Sequence, residues 1–194
     1  MIHPHEFSPM GPAAGLADRM QSMVPVLGTD RLLLRAPRID DFDLFAEIAC
    51  SERAAGMGGP MSREAAWSEF MQMTGTWYLR GTGCWTVCNG GRAIGFAQIG
   101  FEPGDMEPEL GFMFDAASEG HGFAYEAARA VMTHARETLG MTTLVSYVAR
   151  DNARSISLAL RLGGARDAAA EDLLPEPDRN DTNVYRYDLT GATA

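Results

Sequence analysis

Residues 108 to 149 read as strand, glycine turn, helix and strand, and this order constrains the fold more than any other feature. The apolar run "PELGFMF" (108–114) is followed by "EGHGFAYEA" (119–127), which places two glycines directly before a helical pattern. In that pattern Ala124, Ala127, Ala128, Val131, Met132, Ala135 and Leu139 recur at spacings of three and four, with Glu126, Arg129, Arg136 and Glu137 on the other face. Gly140 supplies a helix stop, and "TTLVSYVA" then reads as a buried strand. Two strands joined through one helix form a parallel, right-handed unit, so the chain needs a sheet with at least one parallel pair and helices covering its faces.

The preceding strands read as antiparallel. "LGTDRLLLRAP" predicts a strand at Leu32 to Arg35 stopped by Pro37, and Asp40 or Asp41 caps a helix through Ala49. Ser62 caps a second helix running to about Tyr78. "CWTVCNGGRAIGFAQIG" sets Asn89-Gly90 between apolar runs at 84–88 and 93–99, a hairpin signal. Beyond residue 149, Asn152 caps a helix over about 153–162 that Gly163 ends, and "ARDAAA" and "NVYRYDL" around the polar "PEPDRND" predict a closing hairpin with a long loop. We find no internal repeat and expect a flexible N-terminal extension over residues 1–24 and a single domain over 25–190.

Charge and composition narrow the function classes. The 194 residues carry 26 acidic and 16 basic side chains, for a formal net charge of −10, with no clustered basic face of the kind that binding to nucleic acid requires. An acidic surface serves solubility and also draws cationic partners such as amines. All 16 basic residues are arginine, which removes Schiff-base lysine and P-loop chemistry. Cys50, Cys84 and Cys88 are an odd set without metal-ligand clustering, so no metal site is expected and a cytoplasmic setting fits; Cys84 and Cys88 read as small buried residues on one strand face. Neither a targeting segment nor an apolar membrane span is visible.

A glycine turn at a helix N-terminus is built to hold an anion, because its backbone N–H groups are unsatisfied and no Cβ stands in the way at Gly120 and Gly122. A dinucleotide turn would need a third glycine where Tyr125 stands and an acidic residue closing the next strand, which 144–149 lacks. The pyrophosphate of coenzyme A is the remaining candidate.

"PELGFMFDAASEGHGFAYEAARAVMTHA" followed by "VARDNARSISLALRLGGAR" resembles the GNAT superfamily of acyl-CoA-dependent N-acetyltransferases, within it the branch of ribosomal-protein N-terminal alanine acetyltransferases. That family's signature, Q/R-x-x-G-x-G/A, reads here as Glu119, Gly120, His121, Gly122, Phe123 and Ala124; Gly122 and Ala124 match, and Glu119 departs. Glu109-Leu110-Gly111-Phe112, the pair Asn152 and Ser155, Arg161-Leu162-Gly163-Gly164 and the opening "TDRLLLRAPRIDD" extend the likeness over about residues 27 to 189. The resemblance implies an α/β (α+β) fold with a mixed, mostly antiparallel sheet, a splayed parallel strand pair and flanking helices. It also implies acetyl-CoA as cosubstrate and a primary amine as acceptor, either a protein N-terminus or a small molecule. A homodimer is compatible with it.

Acetyl transfer needs a proton acceptor, a site for the oxyanion and correct placement. Glu109 is the candidate base, with a structural strand carboxylate as its other reading. Backbone N–H groups near Met113 or Phe114, together with Phe112, would meet the oxyanion and the pantetheine arm. Ser155 is the first choice for protonating the leaving thiolate and Tyr147 the second, while Asn152 and the turn from Glu119 to Ala124 would hold the cofactor. Arg154 and Arg129 are further candidates for its phosphates. A carboxylate at 119 must turn outward or pair with arginine to tolerate them. Trp67, Trp77, Tyr78 and the methionines of 57–73 would line or cover the acceptor cleft. The same fold acting as a non-catalytic acyl-CoA-binding or sensor module is the alternative function.

Overall fold

The computed structural model describes residues 3–176 and 178–191. Its strands are β1 (Leu27–Gly28), β2 (Leu32–Arg35), β3 (Cys84–Asn89), β4 (Arg92–Gly100), β5 (Glu109–Phe114), β6 (Thr143–Ala149), β7 (Ala165–Arg166) and β8 (Thr182–Asp188). They form one sheet in the order β1-β2-β3-β4-β5-β6-β8-β7. Every neighbouring pair is antiparallel except β5 and β6. The helices are α1 (Pro12–Gln21), α2 (Phe42–Ala49), α3 (Arg63–Arg80), α4 (Phe123–Glu137), α5 (Ala153–Arg161), α6 (Ala168–Glu171) and α7 (Asp178–Asp181).

Alternation along the strands divides the core between the two sheet faces. Trp85, Val87, Ile99 and Leu110 face α4 and α5, packing on Ala127, Ala128, Val131 and Ala135. Alanine at these positions brings the α4 backbone close to the sheet. Cys84 and Phe96 face the other way, against Phe42, Phe45 and Phe70 of α2 and α3. Ser62 caps α3 by accepting the Ala65 N–H at 3.1 Å, and Asn152 caps α5 by accepting that of Ser155 at 3.1 Å, both as expected.

Three details differ from the sequence reading. The β3-β4 hairpin turns on Gly90-Gly91, with φ of 57° and 86°, while Asn89 stays in the ladder opposite Arg92. Two successive positive φ values suit a pair of glycines, and Asn89 gains more by pairing and by donating from Nδ2 to the Arg31 carbonyl at 2.9 Å. The closing hairpin is shorter than expected. Only Ala165 and Arg166 of "ARDAAA" pair with β8, because Asp167 caps α6 by accepting the Ala170 N–H at 3.0 Å; Pro177 of the connecting loop lies outside the described residues.

The third difference is local helix near the N-terminus, where residues 1 and 2 lie outside the described residues. Gly11, at φ 61°, and Pro12 at the first helical position open α1, which buries none of its residues. The segment is held on the domain at several places, among them Glu6, buried against Arg63 at 2.9 Å, His5, whose ring lies 4.8 Å from that of Trp67, and Pro25, whose carbonyl accepts Trp85 Nε1 at 2.7 Å. Among the described residues no helix is long and apolar enough to cross a membrane.

Candidate active site

The parallel pair opens almost as soon as it forms. β5 and β6 share one register, Glu109 opposite Val145, with the Val145 N–H donating to the Pro108 carbonyl at 3.1 Å. Past this point the strands diverge, and side chains bridge them: Ser146 Oγ donates to the Leu110 carbonyl at 2.6 Å, and the Glu109 carboxylate reaches the β6 backbone. The gap opens into a cavity of about 510 Å³ that reaches from the loop after α2 to the start of α5. Glu109, Phe112, Met113, Tyr147, Asn152 and Ser155 all line it.

Glu109 sits at the apex of the fork. Its carboxylate accepts the Tyr147 N–H at 3.2 Å and has no arginine partner, and Glu102 and Asp105 stand near enough to repel its charge. Burial first, then this repulsion, pushes its pKa up to about 8. A carboxyl poised there exchanges a proton near neutral pH.

Tyr147 is engaged elsewhere. Its hydroxyl accepts the N–H groups of Met106 and Glu107, both at 3.1 Å, and so pins the loop that leads into β5. Ser155 lies in the first turn of α5, and its hydroxyl is not held by any described residue.

The turn before α4 has the geometry of an anion cradle. Gly120 and Gly122 have φ of 76° and 78°, values that other residues reach only with strain, and Gly122 is the N-cap of α4. Buried Asp115 fixes the entry by accepting the Ser118 N–H at 2.8 Å. Arg31 fixes the exit: it donates to the His121 carbonyl at 3.0 Å and to Glu126 at 2.7 Å, and it stacks over the Phe123 ring at 4.7 Å. His121 is exposed, its Nδ1 2.8 Å from the Glu119 carbonyl and its ring stacked on Phe123. Ala124 follows in the first turn of α4, and Phe114 ends β5.

Glu119 does not stand alone at this turn. Its carboxylate is held by Arg154 from α5, at 2.9 Å to both oxygens, and by Arg53 from the 3₁₀ turn between α2 and α3. The paired arginines cancel the repulsion that a lone carboxylate would exert on an incoming anion, and they bring two guanidinium groups to the turn.

The aromatic residues expected at the cleft are placed otherwise. Trp67 packs edge-on against Phe42 at 4.9 Å, Trp77 packs on Trp85 at 4.6 Å and donates to the Cys84 carbonyl, and Tyr78 is 79% exposed. Large rings on α2 and α3 bury more surface in the core than at a cavity rim. The walls are instead Phe45, Met57, Met61, Met73 and Phe96, so the methionine expectation holds at three positions. Arg53, Glu69, Gln98, Glu102 and Asp105 were not anticipated, although the acidic run "FEPGDMEPE" just before β5 carries a signal for two of them.

A family model described as an acetyltransferase (GNAT) domain matches residues 31–165. The chain belongs to the GNAT acetyltransferases. An acetyltransferase structure from Agrobacterium tumefaciens strain C58 is similar at 37% identity and a TM-score of 0.78, over 84% of this chain and 94% of that one. The GNAT-family acetyltransferase of Bacillus anthracis superposes with a TM-score of 0.67 at 17% identity, over 84% and 96% of the two chains. The RimL ribosomal L7/L12 alpha-N-protein acetyltransferase in complex with coenzyme A does so with a TM-score of 0.67 at 17% identity, over 84% and 98%. At such identities these last two speak for the fold alone. No match was found among curated proteins. GNAT membership makes the protein an acetyltransferase with acetyl-CoA as its cosubstrate, and the expected mixed sheet with one splayed parallel pair is the observed one.

Proposed function

We propose that this GNAT protein transfers acetyl from acetyl-CoA to a primary amine by direct attack, with Glu109 as the base. The observation that carries this reading is the position of Glu109: an arginine-free carboxylate at the apex of the β5-β6 fork, lining the cavity, with its pKa pushed up to about 8. The residues fit the cosubstrate. The α4 N-terminus with Gly120 and Gly122 suits the pyrophosphate, supported by Glu119, His121, Phe123 and Ala124 of the turn and by Arg53 and Arg154. Phe112, Met113 and Phe114 offer the edge of β5 to the pantetheine arm, and Asn152 and Ser155 close the opposite side.

Acetyl-CoA supplies a thioester, whose carbonyl carbon accepts a nitrogen lone pair. Glu109 removes one proton from the ammonium form so that a neutral nitrogen attacks; the N–C bond forms, the nitrogen of the adduct gives up its second proton to solvent, and the C–S bond breaks. The main-chain N–H of Phe114 meets the charge gathering on the carbonyl oxygen, since that of Met113, two residues before the Asp115 N–H bonded to Ile94, is turned toward β4. Ser155 gives the departing thiolate a proton, which solvent restores, while Glu109 passes its proton to water. Tyr147, with its hydroxyl bound to the backbone of 106 and 107, supports the loop and is the weaker donor.

The test is calorimetric titration with acetyl-CoA, with NADH as control, followed by an amine-dependent assay of thiol release. Micromolar binding of acetyl-CoA alone, with thiol release that needs an amine, is the expected result. Binding without amine-dependent release would favour a non-catalytic acyl-CoA module, and no binding would overturn the proposal.

A further inference from the structure

The acceptor half of the cleft is walled by acid. Glu69 of α3, Glu102 and Asp105 of the β4-β5 loop, and Glu109 line the same cavity, and no arginine or histidine is among its lining residues. Other partly buried carboxylates of this chain carry an arginine: Asp41 has Arg35 at 2.7 Å, Glu107 has Arg186 at 2.6 Å and Glu171 has Arg166 at 2.8 Å. In the cleft, by contrast, Glu102 receives only the Gln98 amide at 3.2 Å, Asp105 the Glu102 N–H at 2.6 Å and Glu109 the Tyr147 N–H. Burial, aided by the charge of Glu102, raises the pKa values of Glu69 and Asp105 as it does that of Glu109. Arg80 borders an adjoining lobe of about 380 Å³ that shares Gln98, Glu102 and Asp105, and it stacks over the Phe101 ring at 4.6 Å.

Carboxylates drawn into a cleft without counter-charge cost stability unless a ligand brings the cation. One ammonium, the reacting one, answers only Glu109. We propose that the acceptor carries a second positive charge, as an aliphatic di- or polyamine whose reacting nitrogen meets Glu109 while its other ammonium is held by Glu69, Glu102 and Asp105. The walls between these carboxylates favour such an amine over a peptide. Phe45, Met61, Met73 and Phe96 suit a methylene spacer, whereas peptide carbonyls would need donors that these side chains lack. This inference rests on the acetyl-transfer reading of the same site.

Thiol release with 1,4-diaminobutane and spermidine is compared with n-butylamine and with short peptides bearing a free N-terminus. A kcat/KM for the diamines about 100-fold above that for butylamine is expected, since a desolvated charge pair discriminates on this scale. The Glu102→Gln/Asp105→Asn double variant should collapse that preference about 10-fold or more, mainly through KM. Its acetyl-CoA Kd reports that it is folded. Calorimetric binding of the diamine should weaken in parallel and fall with added salt. Equal rates for diamine and butylamine, or a preference for the peptides, would overturn this proposal while leaving acetyl transfer intact. Absence of acetyl-CoA binding would instead bring down the transferase reading, and this one with it.

Discussion

At the glycine turn Glu119 is gripped by Arg53 and Arg154, while at the fork Glu69, Glu102, Asp105 and Glu109 have no arginine ion pair among the described residues. The two places belong to one acidic chain, yet they treat negative charge in opposite ways. The difference follows from what each end receives. A phosphate-binding turn must present donors and positive charge, so its single carboxylate is neutralised by arginines that can turn to a ligand. An amine-binding end must present negative charge and a proton acceptor, so arginine is kept out.

The strongest way to break this contrast is to remove the charge at the fork. Glu109→Gln should lower kcat by about 10²- to 10⁴-fold, the range for a lost general base, while the acetyl-CoA Kd moves by less than about 2-fold. Equal losses in both would make Glu109 a structural carboxylate.

The pH profile sharpens the same point. Glu109 binds a proton below its raised pKa and is a working base only above it, so kcat/KM should climb through about pH 8, and Glu109→Gln should abolish that limb. Stability runs the other way. The folded state holds the extra proton between the ordinary carboxylate value of 4.5 and about 8, so the contribution is complete below 4.5 and is lost as pH rises through about 8. Denaturant melts should therefore show Glu109→Gln more stable than the parent above pH 8, with the gap closing in acid. A gap that did not change with pH would refute the assignment.

The turn end predicts smaller effects. Gly122→Ala meets nothing closer than an Arg31 nitrogen at 3.7 Å, so its cost is the left-handed conformation at φ 78°, about 1–2 kcal/mol. Thermal melts should fall by about 2–4 °C per kcal/mol, and the acetyl-CoA Kd should rise several-fold as the N–H groups lose their aim. Smallest of all is Glu119→Gln, which frees Arg53 and Arg154: acetyl-CoA should bind about 2- to 5-fold more tightly at low salt and stability should hardly move, because the ion pairs are exposed. Weaker binding in that variant would mean that Glu119 places the arginines usefully, and the contrast between the ends would have to be redrawn.

Local signals carried most of the fold and part of the site. Spacing on α4, the caps at Ser62 and Asn152, and the glycines at 120 and 122 act within a few residues, so they can be read along the chain. Glu109 was legible because the family likeness fixes it at the head of a strand. Glu69, Glu102 and Asp105 converge from a helix and a loop, and no spacing rule links them. Arg53 lies 66 residues from the carboxylate it grips. Trp77 misled because an aromatic residue on a helix looks alike in the sequence whether it packs on Trp85 or faces a cavity. Helix α1 went unread since its signal is a lone Gly-Pro start without an apolar stripe.

The single register between Glu109 and Val145 also divides the sheet into a block of five strands and a block of three, joined there by side chains beneath more than by backbone rungs. Amide hydrogen exchange should resolve the blocks as separate cooperative units, with amides of β5 along the gap exchanging fastest. A thioester arm lying in the gap would act as the missing rung, so the concentration of acetyl-CoA would set how tightly the two blocks are coupled as well as how fast the enzyme turns over.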